Sequence, residues 1–380
     1  MISLREYGSS IIALDKKDLA YLLDLIKVSG APDEPKLFES ISPTREDGIY
    51  AVRPGPFVGR LGLPSGEVLD ISSRFAFRDV VSLIRLSGRS PIRIDSLQAA
   101  AGETEFIIDL IATAFGREVE RIVGNGLAKG YVQRRFVRPP YPGTLDIGYW
   151  IGHQSARSDR LATRASRLTV SILVNQILAA ALDALSSVPL SPQARGKLAA
   201  VMPAFGAIQR GPVTWSDAAN VRLTRLTLRY REALALAERI LRAKSLSFSE
   251  GGLAGASIVF SMPKVWESCV SHWAEGTWGK KYRVVPGYPF HVTSGGEITG
   301  YADVLVLDGE RPVALYDAKY KDIEKAPSPG DVYQMVTYCE RLGLQSATLA
   351  YPAAFSASEV QVGRTIVRVV GIRDVVETLA

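Results

Sequence analysis

Asp303, Asp317 and Lys319 stand in one short segment, Gly300–Lys321, with the spacing that metal-dependent hydrolysis of a phosphodiester requires. The segment, GYADVLVLDGERPVALYDAKYK, reads as two apolar strands joined by a turn at Asp308-Gly309. Side chains alternate with period two along a strand, so Asp303, Leu305 and Leu307 share a face of the first. Val313, Leu315, Asp317 and Lys319 share a face of the second. Paired, the strands bring Asp303 and Asp317 together at one end of an apolar face, with Lys319 beside them. Two carboxylates so placed repel unless a cation lies between them. Hard oxygen ligands with open positions suit Mg²⁺, with Mn²⁺ as a substitute. The lysine supplies a point charge that positions an attacking water and stabilises a pentavalent phosphate. A lone D-x-K on a strand is more often a solvated ion pair, so the surrounding elements have to decide.

Those elements follow a definite order. Pro263–Trp278 has Val265, Cys269 and Trp273 at helix spacing, with Pro263 suited to a first turn. Tyr282–Val285 reads as a strand ending at Pro286-Gly287. After the two-stranded segment, Pro329–Leu342 reads as a helix stopped by Gly343, and Ala347–Ala350 and Thr365–Val370 as closing strands. Gln334 and Tyr338 lie four residues apart and so share a helix face. Glu267 sits in the helix before the strands.

The order α-β-β-β-α-β with Asp303…Asp317-Ala318-Lys319 resembles the PD-(D/E)xK core of restriction-type nucleases. In that superfamily Gln-x-x-x-Tyr after the D-x-K strand recurs, and an acid on the preceding helix reaches the metal through water, the place of Glu267. The fuller wording, Asp317-Ala318-Lys319-Tyr320-Lys321 followed by Asp331-Val332-Tyr333-Gln334-Met335 and Tyr338, resembles the McrC family, nuclease subunits of McrBC-type, modification-dependent restriction systems. Three earlier segments resemble the same family more weakly. They are Phe57–Gly66 with Leu69-Asp70-Ile71, Gly126–Tyr131, and Pro142–Asp146. Two departures stand out: Ala302 replaces the usual proline before the first aspartate, and Pro142-Gly143 replaces the usual Arg-Gly. The resemblance implies a DNA endonuclease subunit in phage defence. Asp303 and Asp317 would hold Mg²⁺ with the Ala318 carbonyl, and Lys319 would position the water. Glu267 would act at one remove, and Gln334 and Tyr338 would shape the site. The resemblance also implies a partner, an McrB-like AAA+ GTPase ring that reads modified double-stranded DNA and whose GTPase this chain stimulates.

Composition places limits on these expectations. The chain of 380 residues has room for two or three domains. Its two cysteines, Cys269 and Cys339, lie on amphipathic helical stretches and read as core thiols. His153, His272 and His291 have no zinc spacing. The most apolar stretch, Leu168–Leu185, is interrupted by Asn175, Gln176 and Asp183, so it reads as a buried helix and not a membrane span. With no charged-then-apolar leader pattern at MISLREYGSS, the reading is a cytoplasmic protein. No Gly-x-x-x-x-Gly-Lys-(Ser/Thr) occurs, so any nucleotide-driven motor belongs to another chain. Net charge is a mild +6, but residues 116–167 carry ten Lys or Arg against four Asp or Glu, interleaved with aromatics. That stretch suits phosphates or an acidic protein surface.

The fold class expected is α+β and multidomain. Residues 1–150 read as a mixed α/β, barrel-like domain that docks the ring, with amphipathic helices at Lys16–Val28, Phe75–Ser87 and Thr104–Val123. Residues 151–255 read as a helical connector with long helices at Arg157–Ser187 and Trp215–Lys244, ending in a hinge-like SFSEGGLA at 247–254. Residues 256–380 read as the nuclease core. Two other readings remain at this stage: a nuclease fold kept only to regulate a partner NTPase, and a stand-alone nuclease directed at RNA or at nucleic-acid structure.

Overall fold

A computed structural model describes residues 1–28, 35–87, 106–153, 161–246, 257–293, 295–321, 327–353, 355–371 and 375. The hinge-like 247–254 and the first two residues of the helix read at Thr104–Val123 lie outside them.

The C-terminal part is a six-stranded mixed sheet between two helices. Its strands are β11 (Arg283–His291), β12 (Thr299–Asp308), β13 (Arg311–Ala318), β14 (Ser346–Ala350), β15 (Ser358–Val362) and β16 (Thr365–Val370), in spatial order β11-β12-β13-β14-β16-β15. The centre of the sheet, β13-β14-β16, is parallel, and β11, β12 and β15 add antiparallel edges. Helix α9 (Met262–Trp278) buries Trp266, Val270 and Trp273 in a core shared with Val304, Val306 and Tyr316. Helix α10 (Pro329–Leu342) buries Val332, Met335 and Cys339 against Leu305, Leu315 and Leu349 on the other face. Alternation along β12 and β13 therefore feeds two cores, as a sheet covered on both faces requires. The element order α-β-β-β-α-β is as the sequence predicts, and both cysteines are buried and free.

Two details differ from the sequence reading. β11 does not stop at Pro286-Gly287 but runs on to His291, because Pro286 pairs with Val304 and Tyr288 with Ala302. Gly287 absorbs the irregularity between those pairs at φ 61°, where a side chain would be strained. Val313 does not share the face of Leu315: it is the extra residue of a bulge at Val306/Leu307 and packs towards α9.

The N-terminal strands form two sheets. β1 (Ile2–Arg5), β5 (Phe57–Gly62), β6 (Val68–Ser72) and β10 (Ile258–Ser261) make one, in order β1-β6-β5-β10. β2 (Ser10–Ala13), β3 (Phe38–Pro43) and β4 (Ile49–Pro54) make the other, in order β2-β4-β3. With α1 (Lys16–Val28) they enclose Leu22, Phe38, Val52, Leu61 and Leu69. β10 leads directly into α9, so the sheet core begins on a strand of the N-terminal sheet. Gly59 makes that junction possible: at φ 140°, an added Cβ would meet the Ile258 carbonyl oxygen at 2.3 Å.

The helices of the middle region build the largest core together with α2 (Phe77–Leu86) and α3 (Ile107–Gly124). Short α4 (Ile147–His153) stays outside it, with no buried residue. The remaining helices are α5 (Leu173–Ser186), α6 (Pro192–Val201), α7 (Trp215–Asn220) and α8 (Arg231–Leu246). Both long helices predicted here are shorter. Thr163–Thr169 is strand β9, paired with β7 (Gly130–Phe136) and β8 (Thr144–Leu145), where Arg157–Ser187 reads as one Ala-rich helix. Pairing across seven residues overrides weak helix propensity. The second helix is broken at 221–230, where Val221 is extended and Thr224 N–H bonds Thr227 Oγ1 at 2.8 Å. A threonine that bonds local backbone competes with helix.

A buried cation ties the parts together. Arg60 on β5 donates Nε to Asp70 at 2.8 Å, Nη2 to Asp109 on α3 at 2.7 Å and Nη1 to the Pro189 carbonyl at 2.8 Å. Asp109 also accepts from Ser191 N–H at 2.8 Å, ahead of α6. Breaking such a group leaves a charge buried without its partner. Asp109→Ala is therefore expected to lower unfolding free energy by about 3–5 kcal/mol in urea denaturation. A loss below about 1 kcal/mol, the scale of a surface pair, would show that the cluster does not join β5 to the helices.

Candidate active site

β12 and β13 run antiparallel with Val304 opposite Tyr316, a register that sets Asp303 opposite Asp317. Asp303 Oδ2 accepts from the Ala318 backbone N–H at 2.7 Å, which fixes its rotamer across the strands. Lys319 leaves the ladder just after β13. Its Nζ lies 2.9 Å from Asp317 Oδ2 and donates to Gln334 Oε1 at 2.8 Å. Gln334 in turn donates Nε2 to Tyr338 OH at 3.1 Å, and Tyr338 packs edge-on against Phe290. The structure thus brings together Asp303, Asp317, Lys319, Gln334 and Tyr338. Gln334 holds the lysine, and Tyr338 holds Gln334.

Glu267, on α9, stands near the pair, within reach of their charges. It lies at the solvent-open rim, and the surrounding protein together with the charge of Asp317 raises its pKa, against the pull of Lys264 and Lys319. Its neighbour Trp266 sets its place. Trp266 Nε1–H and Lys319 N–H both bond the Ala350 carbonyl, each at 2.9 Å, so α9 and the end of β13 are keyed to one atom of β14.

Burial dominates the electrostatics. Desolvation, then the charge of Asp317, pushes Asp303 up to about 7. Burial likewise raises Asp317 against the pull of Lys319. Lys319 is itself raised, since the carboxylates outweigh its own desolvation. Asp317 Oδ2 is fully buried, with the Lys319 ammonium 2.9 Å away as its close partner. Two buried carboxylates facing each other across the strands, with one ammonium beside them, fit a hard cation that retains water ligands. No group of three or more His, Cys, Asp or Glu among the described residues forms a ready metal cage. Mg²⁺ is commonly held through one or two carboxylates plus water and substrate, so this does not count against the fit.

Three supporting residues escaped the sequence reading. Lys321 Nζ donates to Asp331 Oδ1 at 2.8 Å, and Tyr351 OH donates to Asp331 Oδ2 at 3.0 Å. Burial would raise Asp331, but these bonds and that of Ser328 outweigh it and hold it low. The available signal was local: Ser328 with Asp331 three residues on is a helix-start pattern, and Asp331 N–H does bond Ser328 Oγ at 3.2 Å. Nothing near Tyr351 in sequence marks its role.

With this geometry in hand, likeness to known proteins can be weighed. The family described as McrBC 5-methylcytosine restriction system component matches residues 52–352, well over half of the chain. The chain belongs to that family. Its McrC-type motifs lie within or beside the matched span. No curated protein matches it. A solved structure titled "Refined half-complex from tetradecameric assembly of Thermococcus gammatolerans McrB AAA+ hexamers with bound McrC" aligns at TM-score 0.61 and 16% identity, covering 100% of this chain and 99% of that one. At that identity the likeness is one of fold. A second, "Cryo-EM structure of the Thermococcus gammatolerans McrBC complex", aligns at TM-score 0.45 and 18% identity, over 73% of this chain and 88% of that one. No helix among the described residues of this McrBC-family chain is long and apolar enough to cross a membrane.

Two of the family-like segments outside the site serve the fold. In Gly126–Tyr131 the Ala128 N–H bonds Tyr230 OH at 2.7 Å and its carbonyl accepts from Asn175 at 2.9 Å. In Pro142–Asp146 the aspartate pairs with Arg135 at 2.7 Å and Arg164 at 2.6 Å, so Asp146 closes the sheet β7-β9-β8 even without the family's usual arginine.

The raised Asp303 has a sign that can be tested. Its ordinary value is 3.8, so as pH rises the unfolded chain releases this proton before the folded one does. Stability then falls from about pH 4 to about pH 7, by at most about 1.4 kcal/mol per pH unit, and levels off above. In chelator, wild-type melting temperature is expected to drop relative to Asp303→Asn across that window. Parallel pH profiles for the two proteins would remove the shift.

Proposed function

We propose that this chain is the metal-dependent DNA endonuclease subunit of an McrBC-like restriction system, with a PD-(D/E)xK core in residues 256–380. One observation carries the reading: Asp303 and Asp317 face each other across β12 and β13, with Lys319 Nζ 2.9 Å from the buried Asp317 Oδ2. Asp303, Asp317 and the Ala318 carbonyl would hold Mg²⁺, which when bound supplies Lewis-acid charge at the phosphoryl oxygens. Lys319, steadied by Gln334 and Tyr338, places an ammonium beside the carboxylates, where it orients the attacking water and offsets charge on the phosphate. Glu267, raised by its surroundings, is suited to hold or pass a proton at the rim.

Residues 1–150 are proposed to dock an McrB-like AAA+ ring and stimulate its GTPase. Similarity in fold to a chain of an assembly whose title names McrB hexamers with bound McrC supports this. So does the surface of β7, β8 and α4, where Tyr131, Leu145, Ile147 and Ile151 are each more than half exposed. Arg135 stacks on Tyr149 beside them, at 3.8 Å from the ring centroid. Clustered exposed apolar side chains mark contact surfaces.

Asp303→Ala and Asp317→Ala are each expected to abolish nicking of modified plasmid in the presence of ring partner, Mg²⁺ and GTP. Thermal melting should show both folded. Wild-type cleavage by either variant would sink the site, and lost cleavage with unchanged GTPase stimulation would separate nuclease from regulator. Lys319→Ala is expected to lose cleavage while Mn²⁺ affinity by calorimetry stays within about threefold, since an ammonium is no metal ligand. In the full chain, Leu145→Asp with Ile147→Asp should lower its stimulation of phosphate release by the purified ring. Stimulation at the wild-type level would reverse the division of labour.

A further inference from the structure

The residue after Lys319 is gripped by the N-terminal sheet. Tyr320 OH donates to Glu6 Oε1 at 2.9 Å, from a position 314 residues away in the chain. Glu6, directly after β1, is buried, and the same oxygen accepts from Ser73 Oγ at 2.6 Å and Arg74 N–H at 2.8 Å. Arg74 Nη2 donates to the Tyr320 carbonyl at 2.8 Å, and its guanidinium lies over the Tyr320 ring at 5.2 Å. Phe75 meets the same ring edge-on at 5.2 Å. Hydroxyl, ring and carbonyl of one residue are therefore each held by residues 6 and 73–75.

Lys319 itself is past the end of β13, with one backbone bond, to Ala350, holding it to the sheet. On its far side Lys321 is tied to Asp331. The lysine thus hangs between two anchors. One belongs to the nuclease sheet and the other to the N-terminal sheet.

We propose that Glu6 and Tyr320 are positioning residues for the cleavage site, which set Lys319 against Asp317 from the N-terminal unit. The inference rests on Lys319 acting in cleavage. It adds that catalytic geometry is completed by a part of the chain outside the nuclease core. Whatever displaces β1 or the 73–75 segment displaces Lys319 as well. Neither residue touches the reacting atoms, so the effect falls on turnover and not on DNA or metal binding. Misplacement of a catalytic group by about 1 Å lowers turnover on the order of 100-fold.

The experiment uses the full chain with its ring partner. Tyr320→Phe keeps the ring and removes only the hydroxyl. It is expected to lower kcat for plasmid nicking about tenfold or more, with KM for DNA and Mn²⁺ affinity unchanged. Glu6→Gln retains an acceptor oxygen and should stay within about threefold of wild type, whereas Glu6→Ala, which also strips Ser73 and Arg74 of their acceptor, should lower kcat at least as much as Tyr320→Phe. The double variant, Glu6→Ala with Tyr320→Phe, should be no worse than Glu6→Ala alone, because the hydroxyl bond to Glu6 is already broken there. Amide hydrogen exchange over residues 317–321 should quicken in Tyr320→Phe without a change at β16. Wild-type kcat in Tyr320→Phe, or effects that multiply in the double variant, would overturn the proposal. If the wild-type protein does not cut at all, the nuclease reading fails. Exchange over 317–321 then decides alone, and unchanged exchange in Tyr320→Phe overturns the grip too.

Discussion

Holding two carboxylates side by side and out of water is the constraint around which the C-terminal half is built. Each acid favours its neutral form when buried, and the charge of Asp317 raises Asp303 further. Such a pair persists only if the strands that carry it cannot shift apart. The fold meets this with a central sheet covered on both faces, one Asp303–Ala318 bond across the strands, and a cation held between Asp317 and Gln334. Charges nearby are sorted by partner: Lys319 goes to Asp317, and Lys321 is drawn off to Asp331, which also accepts from Tyr351 OH.

Position in this site is set by few atoms. The Ala350 carbonyl receives N–H groups from Trp266 and Lys319, so one oxygen of β14 aligns the helix that carries Glu267 with the strand that carries Asp317. β10 continues that alignment into the N-terminal sheet through its pairing with β5, and Arg60 carries it on to α3 and the loop before α6. The same β5 therefore touches the entry to α9 and the buried ion cluster. A disturbance of the N-terminal strands has a packed route to the carboxylates, and the grip of residues 6 and 73–75 on Tyr320 is a second, shorter one.

The parts of the fold that were legible in sequence are those specified by neighbours in the chain. Helix α10 begins and ends as read because Ser328 bonds the first turn, Pro329 fits it, and Gly343 adopts φ 69° at its end. The strands flanking Asp308-Gly309 follow from alternation and a turn glycine. Reading failed where a distant partner decided. Thr163–Thr169 is strand because β7 lies beside it, and the face of Val313 changed because a bulge inserted it. Phe75–Ser87 shortened to α2 by about a turn, within the ordinary fraying of helix ends.

The sequence by itself determined the chemistry on offer: two acids and a lysine at strand spacing, a glutamine and tyrosine one helical turn apart, and no phosphate-binding loop. Those are local properties, since period and spacing need only the chain. Tertiary structure alone decided which of these groups meet and what else stands behind them. Asp331, Tyr351, Trp266 and Glu6 join the site across intervals of 20, 84 and 314 residues, through contacts that exist only once the sheets have closed. No periodicity encodes such a contact, because its energy is realised only when both ends are buried together.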